Sequence, residues 1–224
     1  MADNPVKTPN GAPTQRSQSY VVQWAQKSRN RMQNKRFSDS TVEDLFALFI
    51  NVLVSFGHSD PQCDDEMPLL AIGDRFSTDA AFFEVGCYVL VRLDTWLFLK
   101  RPHLRERIMR AFAGEFIRLF SAALQIRNVA QLLQERMKTF AAMGHSMPDI
   151  DSWHNPLMQL LLMTECKEKP ESYTFGKGPI VIGDAFEHLA IQTHVVGWVM
   201  GLLPELINMM EFGTDVIRRN SRER

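Results

Sequence analysis

The stretch that most constrains this chain is FFEVGCYVLVRLDTWLFLK, which runs from Phe82 to Lys100. A helix that crosses a bilayer needs about 20 mostly apolar residues, but the longest run without a charge here spans only residues 85–91. Glu84, Arg92 and Asp94 would each cost about 2.5–3.5 kcal/mol near the centre of a bilayer. The sequence therefore predicts a helix that is buried in protein and not in lipid.

The polar residues of this helix fall largely on one side. At 100° per residue, Glu84, Tyr88, Arg92 and Thr95 form a narrow stripe. Glu84 and Arg92 lie about 12 Å apart along the axis, so they cannot pair directly without long reaches of both side chains, and each needs a partner from another element if it is buried. Two interpretations stay open. The stripe faces water or a neighbouring helix, or it lines an internal pocket that binds a polar ligand.

A second apolar helix is predicted from Asp184, its cap, to Leu203. Thr193, Gly197 and Gly201 repeat every four residues in it, and small residues at this spacing form a groove in which another helix can approach closely. The groove would seat either a helix of the same chain or a second copy of the protein. This helix also contributes two further pocket candidates, His194 and Trp198.

Apolar periodicity predicts helices over most of the remaining chain. Ser40 or Thr41 can cap a helix that ends at Gly57, residues 103–124 form an amphipathic helix, and Pro204 is predicted to start a last helix. Ser77 or Thr78 is the expected cap of the first apolar helix. The one β-like pattern predicts a small hairpin near 172–182. We therefore expect an all-α fold, a single bundle-like domain of seven or eight helices.

The charge is unevenly distributed, although the formal net charge is only −1. Residues 1–37 contain seven Lys or Arg and one acidic residue, Asp3. We divide the chain into a flexible leader (1–15), a basic N-terminal helix (16–37), a helical core domain (38–217) and a basic tail (218–224). The basic helix either docks on its own domain or contacts nucleic acid or an anionic membrane. The candidate contact residues are Lys27, Arg29, Arg31, Lys35 and Arg36.

The cysteines and the N-terminal residues bear on the cellular compartment in which the protein is expected. Cys63, Cys87 and Cys166 are far apart and odd in number, with no CxxC pair, which favours free thiols in a reducing environment. The first 15 residues lack the apolar segment of a signal peptide. A cytoplasmic protein is expected.

The clearest metal-like cluster lies in the sequence HSMPDIDSWH. It contains His145, Asp149, Asp151 and His154, which are suitable ligand types, but a solvated loop with a capping Asp explains the same residues. No GxSxG, HExxH or paired ExxH motif is present. We therefore predict no catalytic residue and no cofactor, and the chain is more typical of a protein that is not an enzyme.

The chain has two apolar helices, 12 Met and 15 Phe. These residues can supply adaptable apolar surface for contacts, whereas the sequence shows no catalytic motif. The leading hypothesis is a cytoplasmic helical protein that acts through protein–protein contact, with self-association into a homodimer. The alternatives are a helical enzyme or small-ligand binder with a buried polar pocket, and a protein that binds nucleic acid or anionic membranes through its first helix.

Overall fold

The computed structural model describes residues 19–33, 35, 41–57, 78–142, 201–211 and 213–215. Within these residues the chain is 91% helical, with six helices and no strand, so the predicted all-α class is confirmed. The hairpin predicted near 172–182 lies outside the described residues, and a total of seven or eight helices stays a prediction.

The first five helices are α1 (Tyr20–Met32), α2 (Val42–Gly57), α3 (Asp79–Lys100), α4 (Pro102–Leu124) and α5 (Val129–Ala142). The sixth, α6, is described over residues 201–211 and 213–215. Residues 201–203 are already helical ahead of Pro204, so the prediction that Pro204 starts a helix is wrong. A proline is favoured at the start of a helix but also occurs further inside one, so it does not by itself mark where a helix starts.

The first apolar helix begins and ends where its capping residues predict. The Thr78 side chain accepts a hydrogen bond from the Ala81 N–H at 3.2 Å, which satisfies one of the unpaired amides of the first turn. Arg101 alone separates α3 from α4, and Pro102 occupies the first turn of α4. At the far end of α4, Gln125 adopts a left-handed conformation with φ 55°, which ends the helix.

Phenylalanines of α4 form the centre of the core. Phe112 packs on the α2 residues Phe46 and Phe49, with ring centroids 5.5 and 5.8 Å away. One turn later, Phe116 lies 5.6 Å from Phe83 of α3. This arrangement places α4 against both α2 and α3. The apolar row of this amphipathic helix is buried: Leu104, Ile108, Phe112, Phe116 and Phe120.

Helices α3 and α5 run parallel where they touch. Glu84 contacts Arg136, and one turn further along both helices Tyr88 contacts Phe140 at 5.6 Å between ring centroids. Both contacts join residues 52 positions apart, so the two helices advance in the same direction. Helix α4 connects the two and runs antiparallel to α3. It returns the chain to the end of the fold where α3 begins, so α5 can run parallel to α3.

Helix α1 packs on the other helices through Val21, Val22 and Ala25, which are buried. Its N-terminus is fixed by the Asp79 carboxylate, which accepts hydrogen bonds from the Tyr20 N–H at 3.1 Å and the Val21 N–H at 2.9 Å. The Ser19 hydroxyl donates to the same carboxylate. The first turn of α3 therefore caps α1 across the fold.

Replacing Asp79 by alanine is expected to lower the free energy of unfolding by about 1–2 kcal/mol, because it removes the acceptor of the Tyr20 and Val21 N–H groups at the start of α1. Urea denaturation followed by circular dichroism measures this difference. Glu106→Ala, which removes an exposed helical carboxylate, is the control and should change stability by less than about 0.5 kcal/mol. Equal effects of the two substitutions would contradict the cap.

Candidate functional site

The most distinctive polar contact is an ion pair inside the core, between α3 and α5. Arg136 Nε donates to both carboxylate oxygens of Glu84, at 3.0 and 2.9 Å. The Glu84 side chain is 0% exposed and that of Arg136 is 7% exposed. Of the ion pairs in the described part of the chain, this one alone has two buried partners. The expectation that a buried Glu84 needs a partner from another element is confirmed.

Two polar atoms of residues at the contact between α3 and α5 are buried without a hydrogen-bond partner. They are Arg136 Nη2 and the Tyr88 hydroxyl oxygen. A buried donor or acceptor that is left unsatisfied costs about 1–3 kcal/mol. Among the described residues, Arg101 Nε is the only other such side-chain atom, but the Arg101 side chain is 29% exposed and bonds Asp215 through Nη2.

The four remaining buried polar side chains of the described residues have hydrogen-bond partners, and Asp44 accepts from Lys35 and from the Thr41 N–H. Ser28 donates to the Ala25 carbonyl, Asn51 to the Ala47 carbonyl, and Thr214 to the Met210 carbonyl, at 2.6–2.8 Å. Unsatisfied polar atoms therefore concentrate at the seam between α3 and α5, and we call Glu84, Tyr88 and Arg136 the seam cluster.

Burial controls the protonation of the groups in this region. Desolvation raises the pKa of Glu84 to about 7, and the opposing attraction of Arg136 does not cancel it. Burial also raises the pKa of the neighbouring Cys87 thiol well above its usual value, and the Glu84 charge adds to this shift. Glu84 therefore exchanges a proton near neutral pH, while Cys87 stays a protonated thiol.

The outer half of the predicted stripe is less buried than the seam cluster. The Arg92 guanidinium lies over the Tyr88 ring, 5.6 Å from its centroid, in the geometry of a cation–π contact. Thr95 donates to the Val91 carbonyl at 3.1 Å and is half-buried. Of the four stripe residues, Glu84 and Tyr88 are therefore buried, whereas Arg92 and Thr95 are partly exposed.

An open apolar groove of about 470 Å³ lies among α3, α4 and α5. Its polar lining residues are Asp94, Gln134 and Lys138. The apolar lining residues are Val91, Ala113, Ile117, Ala130, Leu133, Met137 and Ala141. Three alanines leave the groove wide, and a methionine can adapt to a bound side chain.

Two large apolar side chains project into solvent at the end of α3, next to this groove. Phe98 is 59% exposed and Leu99 is 67% exposed. Arg105 links them to the groove, because it bonds Asp94 through two nitrogens at 2.7 and 2.8 Å and lies over the Phe98 ring at 5.4 Å. We call Phe98 and Leu99 the apolar knob. Tyr20 is the third exposed large apolar residue in the described part of the chain.

The basic residues of the first helix are divided between the fold and solvent. Arg29 donates to Asn51 of α2 at 3.2 Å, and Lys35 pairs with Asp44 at the start of α2. Lys27 and Arg31 are exposed on α1. Arg36 lies outside the described residues. Contacts with α2 use two of the five residues proposed for nucleic acid or membrane binding.

The other predicted site residues fall mostly outside the described part of the chain. This applies to the pocket candidates His194 and Trp198, to Thr193 and Gly197 of the small-residue groove, and to the metal candidates His145, Asp149, Asp151 and His154. Gly201 begins the described part of α6 and is half-buried. Within the described ranges, no group of three or more His, Cys, Asp or Glu residues could hold a metal ion.

Arg136 and the groove were not among the residues predicted from the sequence. A signal for Arg136 exists, because it occupies a position of the apolar stripe of α5: the buried residues of that helix are Val129, Leu132, Leu133, Arg136 and Phe140. An arginine at such a position has to find a buried partner. No comparable signal identifies the groove, which depends on how three helices are spaced.

Comparisons with known proteins give no match, whether to family models, to curated protein sequences or to solved structures. None of the helices in the described ranges combines the length and the apolar content needed to cross a membrane.

Proposed function

We propose that the chain is a cytoplasmic, non-enzymatic helical protein that acts through protein–protein contact, and that its first partner is a second copy of itself. The contact would be formed by the apolar knob of each copy, Phe98 and Leu99, inserting into the groove of the other. The observation that carries this proposal is that one surface presents both an exposed apolar protrusion and an apolar groove beside it.

The sizes of the two features are compatible. A cavity of about 150 Å³ holds a benzene ring, so a groove of about 470 Å³ can accept the Phe98 ring and a leucine side chain. Val91, Asp94 and Phe98 follow one another at spacings of three and four residues, which places them on one face of α3. Knob and groove are therefore continuous.

The position of the two features favours a closed dimer. In a two-fold contact, residue i of one copy meets residue j of the other and the reverse contact forms as well. Because knob and groove share one face, each copy can fill the groove of its partner while its own groove is filled. Burial of exposed apolar surface would drive the association, at about 25 cal/mol per Å² removed from water.

Replacing Phe98 by aspartate is expected to weaken self-association by at least roughly tenfold in Kd, because a charge would have to enter an apolar groove. Sedimentation equilibrium of the full-length chain measures this change. Tyr20→Asp is the matched control, since it places the same charge on another exposed aromatic position, beside the first turn of α3 and so at the other end of that helix from Phe98. It should leave Kd unchanged.

A groove variant tests the other half of the contact. Ala130→Glu blocks the groove at an exposed position in the first turn of α5, where an acidic residue is favourable to the helix, and it should weaken association as Phe98→Asp does. Mixing the two variants should partly restore dimers, because one intact knob then meets one intact groove. A wild-type chain that stays monomeric up to millimolar concentration, or equal effects of Phe98→Asp and Tyr20→Asp, would refute the proposal.

A further inference from the structure

Arg105 contacts a residue of the groove and a residue of the apolar knob at the same time. It lies near the start of α4, and its Nε and Nη2 donate to the two carboxylate oxygens of Asp94 at 2.7 and 2.8 Å. Asp94 lines the groove. The central carbon of the same guanidinium lies over the Phe98 ring, 5.4 Å from its centroid. One side chain therefore connects the two features that the proposed contact requires.

The carboxylate of Asp94 holds the guanidinium in place against the Phe98 ring. Asp94 and Phe98 are four residues apart on α3, so they are neighbours on one face of that helix. The planar fork of an arginine matches a carboxylate through two parallel hydrogen bonds, which fixes its orientation. A guanidinium that is fixed over an aromatic ring favours one orientation of that ring, although Phe98 is 59% exposed.

This arrangement contributes more to order than to stability. The side chains of Arg105 and Asp94 are 43% and 28% exposed, and an ion pair in contact with solvent contributes little to the free energy of folding. Order matters for association, because immobilising a flexible side chain on binding carries an entropic cost. A Phe98 ring that is already ordered in the free chain avoids part of that cost.

We propose that Arg105 is a positioning residue of the contact between two copies, and that it holds the Phe98 ring, before association, in the orientation that enters the groove of the other copy. This inference rests on the proposed function, because it assigns a role within that contact. Arg105 acts through Phe98 of its own copy and not by touching the other copy. It raises the fraction of chains that present a competent knob, and the apparent affinity rises with that fraction.

Arg105→Lys keeps the positive charge and loses the planar fork. We expect the Kd of self-association to rise by about three- to tenfold, measured by sedimentation equilibrium of the full-length chain. Because competent knobs become rarer, the association rate constant in stopped-flow mixing should fall by the same factor, and the dissociation rate constant should stay unchanged. The substitution conserves charge and so leaves electrostatic steering intact. An unchanged Kd, or a change confined to the dissociation rate constant, would overturn the proposal.

Two further variants test whether the effect passes through the Phe98 ring. Arg110→Lys makes the same exchange at an exposed arginine of α4 that pairs with Glu106, and it should leave both rate constants unchanged. In a Phe98→Leu background no aromatic ring remains to be held, so Arg105→Lys should change Kd by less than about twofold. Equal effects of Arg105→Lys in the two backgrounds would show that Arg105 does not act through the ring, and would contradict its role.

The order of the Phe98 ring can also be measured without a dimer. Fluorine relaxation of para-fluorophenylalanine at position 98, in samples diluted until they sediment as monomers, should show a more mobile ring with Arg105→Lys and no change with Arg110→Lys. If the ring stays equally ordered, the role of Arg105 is wrong, whereas the proposed function stands as long as Phe98→Asp weakens self-association. If the wild-type chain does not associate at all, the proposed function fails even where Arg105 orders the ring, and the positioning role fails with it.

Discussion

Replacing Glu84 by leucine is expected to lower the free energy of unfolding by about 3–5 kcal/mol, because it leaves the Arg136 guanidinium buried without its counterion. Arginine cannot lose its proton at any pH at which proteins fold, so the unpaired charge cannot be neutralised. The wild-type chain itself loses stability as Glu84 ionises, so the loss caused by the substitution should be larger at pH 5 than at pH 8. Chemical denaturation at several pH values measures it.

The reverse substitution, Arg136→Met, should behave differently with pH. It leaves Glu84 buried and unpaired, but a carboxyl group escapes the cost of burial by taking up a proton. Loss of Arg136 also removes the attraction that opposes the raised pKa of Glu84. The destabilisation should be about 3–5 kcal/mol at pH 8 and clearly smaller at pH 5.

Glu84 also gives the wild-type chain a pH dependence of its own. Its pKa in the folded state is about 7, above the model value of 4.5, so the folded chain binds more protons than the unfolded chain between these values. The contribution of Glu84 to stability is thus fully present below pH 4.5 and falls as pH rises towards 7, by on the order of 3 kcal/mol. Comparison with Glu84→Leu, which lacks this group, isolates the effect.

The double variant Glu84→Leu/Arg136→Met should recover most of the loss caused by either single change, because a hydrophobic pair of similar volume avoids the desolvation of two charges. The exposed pair Glu106 and Arg110 is the control, and its removal should cost less than about 1 kcal/mol. Additive losses in the double variant would mean that Glu84 and Arg136 do not depend on each other.

Gly86→Ala is expected to cost about 1–3 kcal/mol, because the added methyl group overpacks the core. A Cβ at this position would lie 2.7 Å from Cε2 of Phe116 and 3.0 Å from its Cζ. Phe116 has little space to withdraw, since it is 0% exposed and its ring centroid lies 4.4 Å from that of Phe120. Denaturant titration of the full-length chain measures the cost.

Two further variants show whether the close approach is the cause. Gly114→Ala adds the same methyl group on the exposed face of α4, where nothing lies within 4 Å, and should stabilise the chain by about 0.5–1 kcal/mol through helix propensity. Phe116→Leu shortens the obstructing side chain, so Gly86→Ala should cost less in that background than in the wild type. Equal costs in both backgrounds would contradict the packing argument.

Local chemistry made much of the fold predictable. Thr78 is a strong capping residue placed directly before an apolar run, and the apolar positions of α4 recur at the helical period, so α3 and the buried row from Leu104 to Phe120 follow from the sequence. Pro204 misled because a proline does not always begin a helix. Each of these features depends on neighbours within a few positions along the chain.

The site was less predictable because its parts meet only through tertiary packing. The sequence indicates that Glu84 needs a partner, but 52 positions separate it from Arg136, and only the parallel arrangement of α3 and α5 brings the two together. The sequence around Phe98 does not distinguish it from the phenylalanines that are buried in the core. Its exposure follows from its place near the end of α3, where Arg105 of α4 lies over the ring but leaves it 59% exposed, and no local pattern encodes that.

The central claim, that the apolar knob of one copy enters the groove of another, can be tested directly by an intermolecular spin-label measurement. One sample carries a nitroxide at Lys100→Cys, with Cys63 and Cys166 replaced by serine, and is mixed with a copy that carries methyl labels and no nitroxide. We expect broadening of the Met137 and Ile117 methyl signals, and its loss when the methyl-labelled copy carries Ala130→Glu. Unbroadened signals in a mixture that sediments as a dimer would contradict the claim.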